Sequence, residues 1–383
     1  MELVFWIAFA VIYYIYDGYF RSLQVLVWLK PPSSSDSKSA WTLPHVTVLV
    51  TVYNEAFQIR ERILNILESD YPADRLEVMI ASDGSSDETD HIVRGMRRRD
   101  SRIRLFRPKD CEGKTATQNQ AVSLVNGEIL VFTDADTRFE AMFLRNMIAP
   151  FSDPRVGGVD GHLLFGTKEN SGVSKSQGLY WNYELRVREF ESRLGILAVA
   201  SGACLAIRRT LFRPLVDAYG EDCVVPLDIV EQDYRMVHRV DAVAHDRMDT
   251  QAGGEFRARV RMTARNWSGT VSRSHLLNPF RHFRYAWALW SHKLLRWLSP
   301  VFLIVMVVSA FMLAPGSEFF AYVSVGLVGF VGAGLLAGIF EYFGWSIPVA
   351  RTIFSLLLAN VGFFVGGCRA LCGHRITAYR RTT

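Results

Sequence analysis

Two acidic side chains one residue apart, Asp134 and Asp136, close an apolar run at residues 129–132 in the stretch VFTDADT. Carboxylates delivered together by a buried strand suit a hard divalent cation, Mg2+ or Mn2+, which also draws oxygens from a substrate phosphate. A strand ending in a plain polar turn has the same appearance, because Asp is a common turn residue. Neighbouring residues bear on the choice. Tyr53 and Glu55 end an earlier apolar run, VTVLVTVYNE, and Asp83 ends another, LEVMIASDGSSDET. A tyrosine face can stack on a flat base, and a carboxylate can accept hydrogen bonds from a base edge. Asp83 could equally cap its own turn. Lys114, after Gly113, is placed to approach a diphosphate or to stand in solvent. Downstream lie two acidic pairs, Glu221 with Asp222 and Glu231 with Asp233. An attacking hydroxyl is a poor nucleophile, and its proton must pass to a base within hydrogen-bonding reach, normally a carboxylate or histidine.

The elements that must position these groups follow from the pattern. Between residues 44 and 134, apolar runs of strand length alternate with amphipathic stretches. Residues 57–72 read as a helix with Ile59, Ile63, Leu64, Ile66 and Leu67 on one side. Such alternation predicts an α/β fold with a mostly parallel sheet and helices on both faces. In an open sheet of that kind, ligands bind beyond the carboxyl ends of the strands, and Tyr53, Asp83 and Asp134 all stand at those ends. A long helix is expected over 172–195, a small-residue turn and strand over 198–210, a segment helical in its later part over 221–234, and a strand over 235–247.

Composition concerns the ends of the chain. Hydrophobic residues make up 50% of the 383 and charged residues 21%, with the apolar excess at the two termini. The net charge of +5 comes from basic residues flanking apolar segments, a pattern of membrane headgroups more than of nucleic acid, for which no module is present. Five cysteines without a CxxC pair read as reduced thiols. Residues 1–30 are expected to span the membrane, since no basic start or cleavage site marks a leader. Lys30 then places the following region on the cytoplasmic side of a bacterial cell membrane. Residues 31–43 read as a linker, 271–298 as interfacial helices carrying Trp287, Trp290 and Trp297 among Arg281, Arg284, Lys293 and Arg296, and 299–372 as further apolar spans. Four full crossings would leave the basic tail, 373–383, outside. The positive-inside rule therefore predicts that one segment is not a full crossing.

In their order, TVYNE, SDGSSDET, GKTATQNQAV, VFTDADT and SGACLAIRR followed by ED, the motifs resemble the family 2 glycosyltransferases. The likeness is to the membrane-integrated branch that includes cellulose, chitin and hyaluronan synthases, and it covers about residues 44–270. It implies a GT-A-type fold and a metal-dependent, inverting transfer of a sugar. The donor would be a nucleoside-diphosphate sugar, a UDP-sugar by preference, and the acceptor a glycan or lipid-linked molecule, with partner subunits of a polysaccharide synthase in prospect. By the same resemblance Asp222 is the catalytic base. Tyr53, Glu55, Asp83, Lys114, Asp134 and Arg261 bind the nucleotide sugar, Asp136 with Asp134 holds the metal, and Gly202 and Glu221 border the acceptor. One departure stands out. With Arg261 matched to the arginine of the QxxRW motif of processive members, Ala258 replaces the glutamine and Met262 the tryptophan. Polymer extrusion is therefore not expected, and Arg257 and Arg259 read as headgroup contacts. Two other readings remain open: a polyprenyl-phosphate glycosyltransferase, and a catalytically silent nucleotide-binding scaffold.

Overall fold

The run VTVLVTV has no polar alternation, so as a strand it must be covered on both faces. It forms β1 (Val46–Val52), and six of its seven residues are buried. The computed structural model describes residues 1–30, 41–166, 172–217, 219–247, 252–343 and 348–373. Most of the expected linker and of the basic tail lies outside them. Ahead of β1, helices α1 (Glu2–Tyr13) and α2 (Tyr19–Leu29) run as one rod through a π-helical turn at Tyr14–Gly18.

After β1 the chain alternates as expected: α3 (Ile59–Leu67), β2 (Leu76–Ser82), α4 (Thr89–Arg97), β3 (Ile103–Phe106), α5 (Lys114–Ser123) and β4 (Ile129–Thr133). These four strands are parallel, in spatial order β3-β2-β1-β4. The chain thus winds outward from β1 through β2 to β3, then returns to the other side of β1 to place β4. That reversal opens a crevice beyond the carboxyl ends of β1 and β4. Side chains alternate along each strand and split the core in two. Val46, Val48, Val50 and Val131 pack with α3 and α4 on one face; Leu49, Met79, Leu130 and Phe132 pack with α5 on the other.

The remainder changes direction. β5 (Arg138–Phe139) and α6 (Phe143–Ile148) lead to β6 (Val156–Gly166), α7 (Gly172–Leu194), β7 (Leu205–Arg208), α8 (Glu221–Glu231), β8 (Arg235–Arg247) and α9 (Ala252–Ser272). β7 is antiparallel to both β4 and β6, β8 is parallel to β6, and β5 is antiparallel to β8. The eight-stranded sheet is therefore mixed, with β1–β4 as its parallel block.

Three details differ from the expectations. Leu64 is exposed, and Arg62 takes the inward place on α3 because its guanidinium meets buried acceptors, described below. α8 is helical from Glu221 onward, not only in its later part. The supposed interfacial stretch and first apolar segment form one helix. α10 (Pro279–Leu289) passes through a π-helical turn at Trp290–Leu294 into α11 (Leu295–Leu313), and Arg296 and Trp297 are buried inside the protein. A buried carboxylate, Glu184, supplies the partner that draws Arg296 inward.

α12 (Glu318–Tyr342) and α13 (Pro348–Leu371) follow. Among the described residues, four helices are long and apolar enough to cross a membrane: Glu2–Leu29, Pro279–Gly316, Glu318–Phe340 and Thr352–Leu371. The first post-catalytic segment, short in sequence, is lengthened by α10, so length gives no ground for reading it as a re-entrant turn.

Candidate functional site

The DGSSDET turn after β2 is a clip for the loop after β1. Ser85 Oγ accepts the Asn54 amide at 3.1 Å, Thr89 Oγ1 the Glu55 amide at 2.9 Å, and Asp87 Oδ2 the Ala56 amide at 3.0 Å. Asn54 sits at φ +55°, a conformation asparagine tolerates better than most residues. The clip leaves Tyr53 exposed and Glu55 half-buried on the wall of a cavity of about 920 Å3.

Asp83 is turned toward its own chain. Its Oδ1 accepts the Glu112 amide at 2.8 Å, the Gly113 amide at 3.1 Å and Thr117 Oγ1 at 2.9 Å; Oδ2 receives only the same Gly113 amide and the Cys111 thiol, at 3.0 and 3.5 Å. Gly113, at φ +93°, allows the loop to fold back over this carboxylate. Asp83 thus lines the cavity and organises the start of α5, where the sequence offered a cap on its own turn as the alternative to a binding role.

Lys114, the first residue of α5, reaches across the cavity. Its Nζ lies 3.0 Å from Asp134 Oδ1 and 2.6 Å from Glu221 Oε1. Burial pulls this ammonium down, but the two carboxylates outweigh burial and hold it above its ordinary value. The strand-end acid and the acid at the start of α8, 87 residues apart in sequence, are thus bridged by one cation. Asp136 lines the same wall and has no hydrogen-bond or salt-bridge partner among the described residues. No group of three or more His, Cys, Asp or Glu side chains is arranged among the described residues so as to hold a metal ion by itself. Two carboxylates completed by substrate phosphate oxygens nevertheless suit Mg2+ or Mn2+, which rarely occupies an all-protein cage.

Behind this wall sits Arg62, fully buried. It donates to the Asp134 carbonyl at 3.1 Å, Thr133 Oγ1 at 2.7 Å and Asn65 Oδ1 at 2.8 Å, and lies over the Phe139 ring. Burial, then the nearby Arg138, lowers it to about 9. The sequence reading missed Arg62, although 59, 62, 63 and 66 share one helical face and an arginine there must find acceptors.

Glu221 and Asp222 open α8 side by side and differ electrostatically. Burial pushes the Glu221 carboxyl up, but Lys114 and then Arg265 reverse this and hold it at about 2. Asp222 is raised, first by burial and then by the negative charge of Glu221. The preceding Gly220 is required here: a Cβ would lie 2.4 Å from Asp222 Oδ1 and 2.8 Å from Asn266 Oδ1. Gly202 faces both acids more loosely, since a Cβ there would find Glu221 and Asp222 atoms at 3.6–3.7 Å.

The structure brings ten of the residues singled out from the sequence to this one cavity: Tyr53, Glu55, Asp83, Lys114, Asp134, Asp136, Gly202, Glu221, Asp222 and Arg261, whereas Glu231, paired with Arg213 and His275, and Asp233 do not line it. Arg259 does not read as a headgroup contact. It lines the cavity, with its guanidinium over the rings of Tyr180 and Phe363, because those aromatic faces offer a buried cation a favourable seat. Glu184, Arg188 and Lys293 also line the cavity and were not anticipated. The i, i+4 spacing of Glu184 and Arg188 was their only sequence signal.

Comparison with known proteins follows this geometry. Residues 47–216 match Glycosyl transferase family 2. An N-acetylglucosaminyltransferase of Rhizobium meliloti is 26% identical over 242 residues, 58% of this chain and 57% of that protein. A beta-monoglucosyldiacylglycerol synthase of Trichormus variabilis is 26% identical over 170 residues, 44% of this chain and 36% of the relative. The chain thus spans about half the length of the curated relatives it matches. Among solved structures, a mannosyltransferase from Pyrobaculum calidifontis in complex with GDP-Man and Mn2+ superposes with a TM-score of 0.69. That likeness covers 97% of this chain and 99% of the other at 23% identity, and it shows the fold, terminal helices included.

Proposed function

We propose, from the match of residues 47–216 to Glycosyl transferase family 2, that this protein is a membrane-anchored, inverting glycosyltransferase with Asp222 as general base. It moves a sugar from a nucleoside-diphosphate sugar to a hydroxyl of a glycan or lipid-linked acceptor at the cytoplasmic face of a bacterial membrane. The observation that carries this reading is the Lys114 bridge: one ammonium touches both Asp134, on the donor side, and Glu221, beside the proposed base.

Each residue then has a task. Tyr53 stacks on the base and Glu55 meets the ribose. Asp83 supports a uracil-type base: its Oδ1 is committed to the loop, and Oδ2, which shares the Gly113 amide, also holds a weak thiol donor that a single N–H can displace. Guanine would offer two N–H groups to a carboxylate with room for one. Asp136 and Asp134 would hold Mg2+ or Mn2+ beside the diphosphate, where such an ion supplies charge neutralisation to the leaving group. Lys114 and Arg261 add cationic donors to the same phosphates.

Asp222 accepts the proton of the acceptor hydroxyl as its oxygen attacks the anomeric carbon. The bond from that carbon to the diphosphate breaks, and its electron pair leaves with the nucleoside diphosphate. Attack from the face opposite the leaving group inverts the centre. Burial and the Glu221 charge raise Asp222 toward the range where a carboxylate is a better base. The cavity extends to Trp297 on α11 and Phe363 on α13, both within candidate spans, which favours an acceptor carrying a lipid.

The test is to incubate membranes carrying the protein with labelled UDP-, GDP- and dTDP-sugars, including UDP-N-acetylglucosamine and GDP-mannose, and to size the product. A short lipid-extractable product from a UDP-sugar is expected. Transfer from GDP-mannose alone would overturn the base assignment, and no transfer from any donor would favour the silent scaffold.

A further inference from the structure

Away from the strand-end acids, three fully buried carboxylates, Asp160, Glu184 and Glu191, lie in the half of the domain that faces the candidate spans. They face two buried guanidiniums, Arg188 and Arg296. Between them sits His292, 1% exposed, at the centre of the π-helical turn that joins α10 to α11. Its Nδ1 lies 2.9 Å from Glu191 Oε1 and its Nε2 lies 3.0 Å from both oxygens of Glu184. An imidazole with a carboxylate at each nitrogen has an acceptor on both sides of its ring. Lys293 reaches the same group from the cavity edge, 3.8 Å from Glu184, and buried His238 meets Asp160 at 2.8 Å.

The chain of contacts continues in both directions. Toward the membrane, Tyr19 donates to Glu191 at 2.6 Å, and Tyr14, in the other π-helical turn, meets Ser291 at 2.8 Å. The two π-turns thus face each other, and such turns are commonly placed at functional positions. Toward the catalytic centre, Arg188 joins Glu184 at 3.2 Å to Asp160 at 3.3 Å. Asp160 accepts the Ser201 amide at 2.7 Å, and the Ala200 amide donates to the Asp222 carbonyl at 3.3 Å.

We propose that His292 is a positioning residue for the transfer reaction. Bridging Glu184 and Glu191, it fastens both π-turned helices to α7 and, through Arg188 and Asp160, holds residues 199–203 and the Asp222 backbone in register. Glu184 behaves accordingly: burial alone would raise its carboxyl, but His292, Lys293 and Arg188 hold it well below the usual range. The part played in transfer rests on Asp222 as the base, whereas the coupling of the helices to this loop does not.

The experiment follows amide exchange and transfer kinetics on the full chain in lipid nanodiscs. His292→Gln keeps a hydrogen-bonding side chain but cannot bridge Glu184 and Glu191 from the two sides of a ring. The Ala200 and Ser201 amides should then exchange about tenfold faster. Transfer kcat should fall by about the same factor, with the donor KM unchanged within about twofold. Adding Glu191→Gln removes the buried carboxylate that has lost its imidazole partner, so the double variant should recover slow exchange and most of kcat. Tyr19→Phe removes one hydroxyl and should shift the same amides in the same direction by about twofold, which keeps the test decisive if His292→Gln does not fold. Unchanged exchange at Ala200 and Ser201 in these variants, or a double variant no better than the single, overturns the proposal. Absence of transfer in the wild type would sink the enzymatic reading alone, because exchange still decides the coupling.

Discussion

The two halves of the catalytic domain handle charge in opposite ways. In the parallel half, the acids stand at strand ends on the cavity wall and are organised by nearby chain: Glu55 by Thr89, 34 residues away, and Asp83 by Thr117, also 34 away. In the mixed half, acids lie in the interior and find partners 108 and 172 residues away, as Glu184 does in His292 and Glu191 in Tyr19. The first arrangement suits groups that must exchange partners when substrate arrives. The second suits groups that never do, since breaking a buried pair leaves an uncompensated charge. Asp222 sits where the halves meet: its environment raises it, while Glu221 one residue earlier is neutralised by Lys114.

The comparison fails first, if it fails, at Asp222. Asp222→Asn should lower kcat by roughly 10²–10⁴-fold, the usual worth of a general base, with donor KM little changed. Activity that survived would mean an acceptor already ionised, such as a polyprenyl phosphate. Next in size is Asp136→Asn, expected to cost roughly 10²–10³-fold in kcat and to shift the Mn2+ titration of activity. Chelation should abolish wild-type transfer, and Mn2+ or Mg2+ should restore it.

The contrast between adjacent acids gives a pH prediction. Asp222 must be ionised to act and its carboxyl is raised, so kcat/KM should rise with pH along a limb displaced above the ordinary carboxylate range. In Glu221→Gln one of the two raising causes is gone, and the limb should move down. Glu221 has the opposite sign for stability. Held at about 2, it stabilises the fold above its unfolded value, and that contribution is lost as pH falls from about 4.5 toward about 2. Thermal melting across that window measures it, and Lys114→Met should flatten it.

The smallest effects come from the two glycines that face the acids. Gly202→Ala adds a Cβ at ordinary contact distance, so melting should stay within about 0.5 kcal/mol of wild type. Acceptor KM should rise if a sugar passes there. Gly220→Ala puts a methyl group against the Asp222 carboxylate, and its kcat should fall further than that of Gly202→Ala.

What the amino-acid order determined by itself is the parallel block and the set of groups at its strand ends. Strand and helix periods, turn residues and acids at fixed offsets are local signals, and each stands within a few residues of the backbone that it commands. Tertiary structure alone decided that Arg62 would turn inward, that Lys114 would span two acid pairs, and that α10 would run on into a spanning helix and carry Arg296 to Glu184. The physical reason is that the worth of a buried charge depends on a partner brought from far along the chain, and no local spacing records which partner that is.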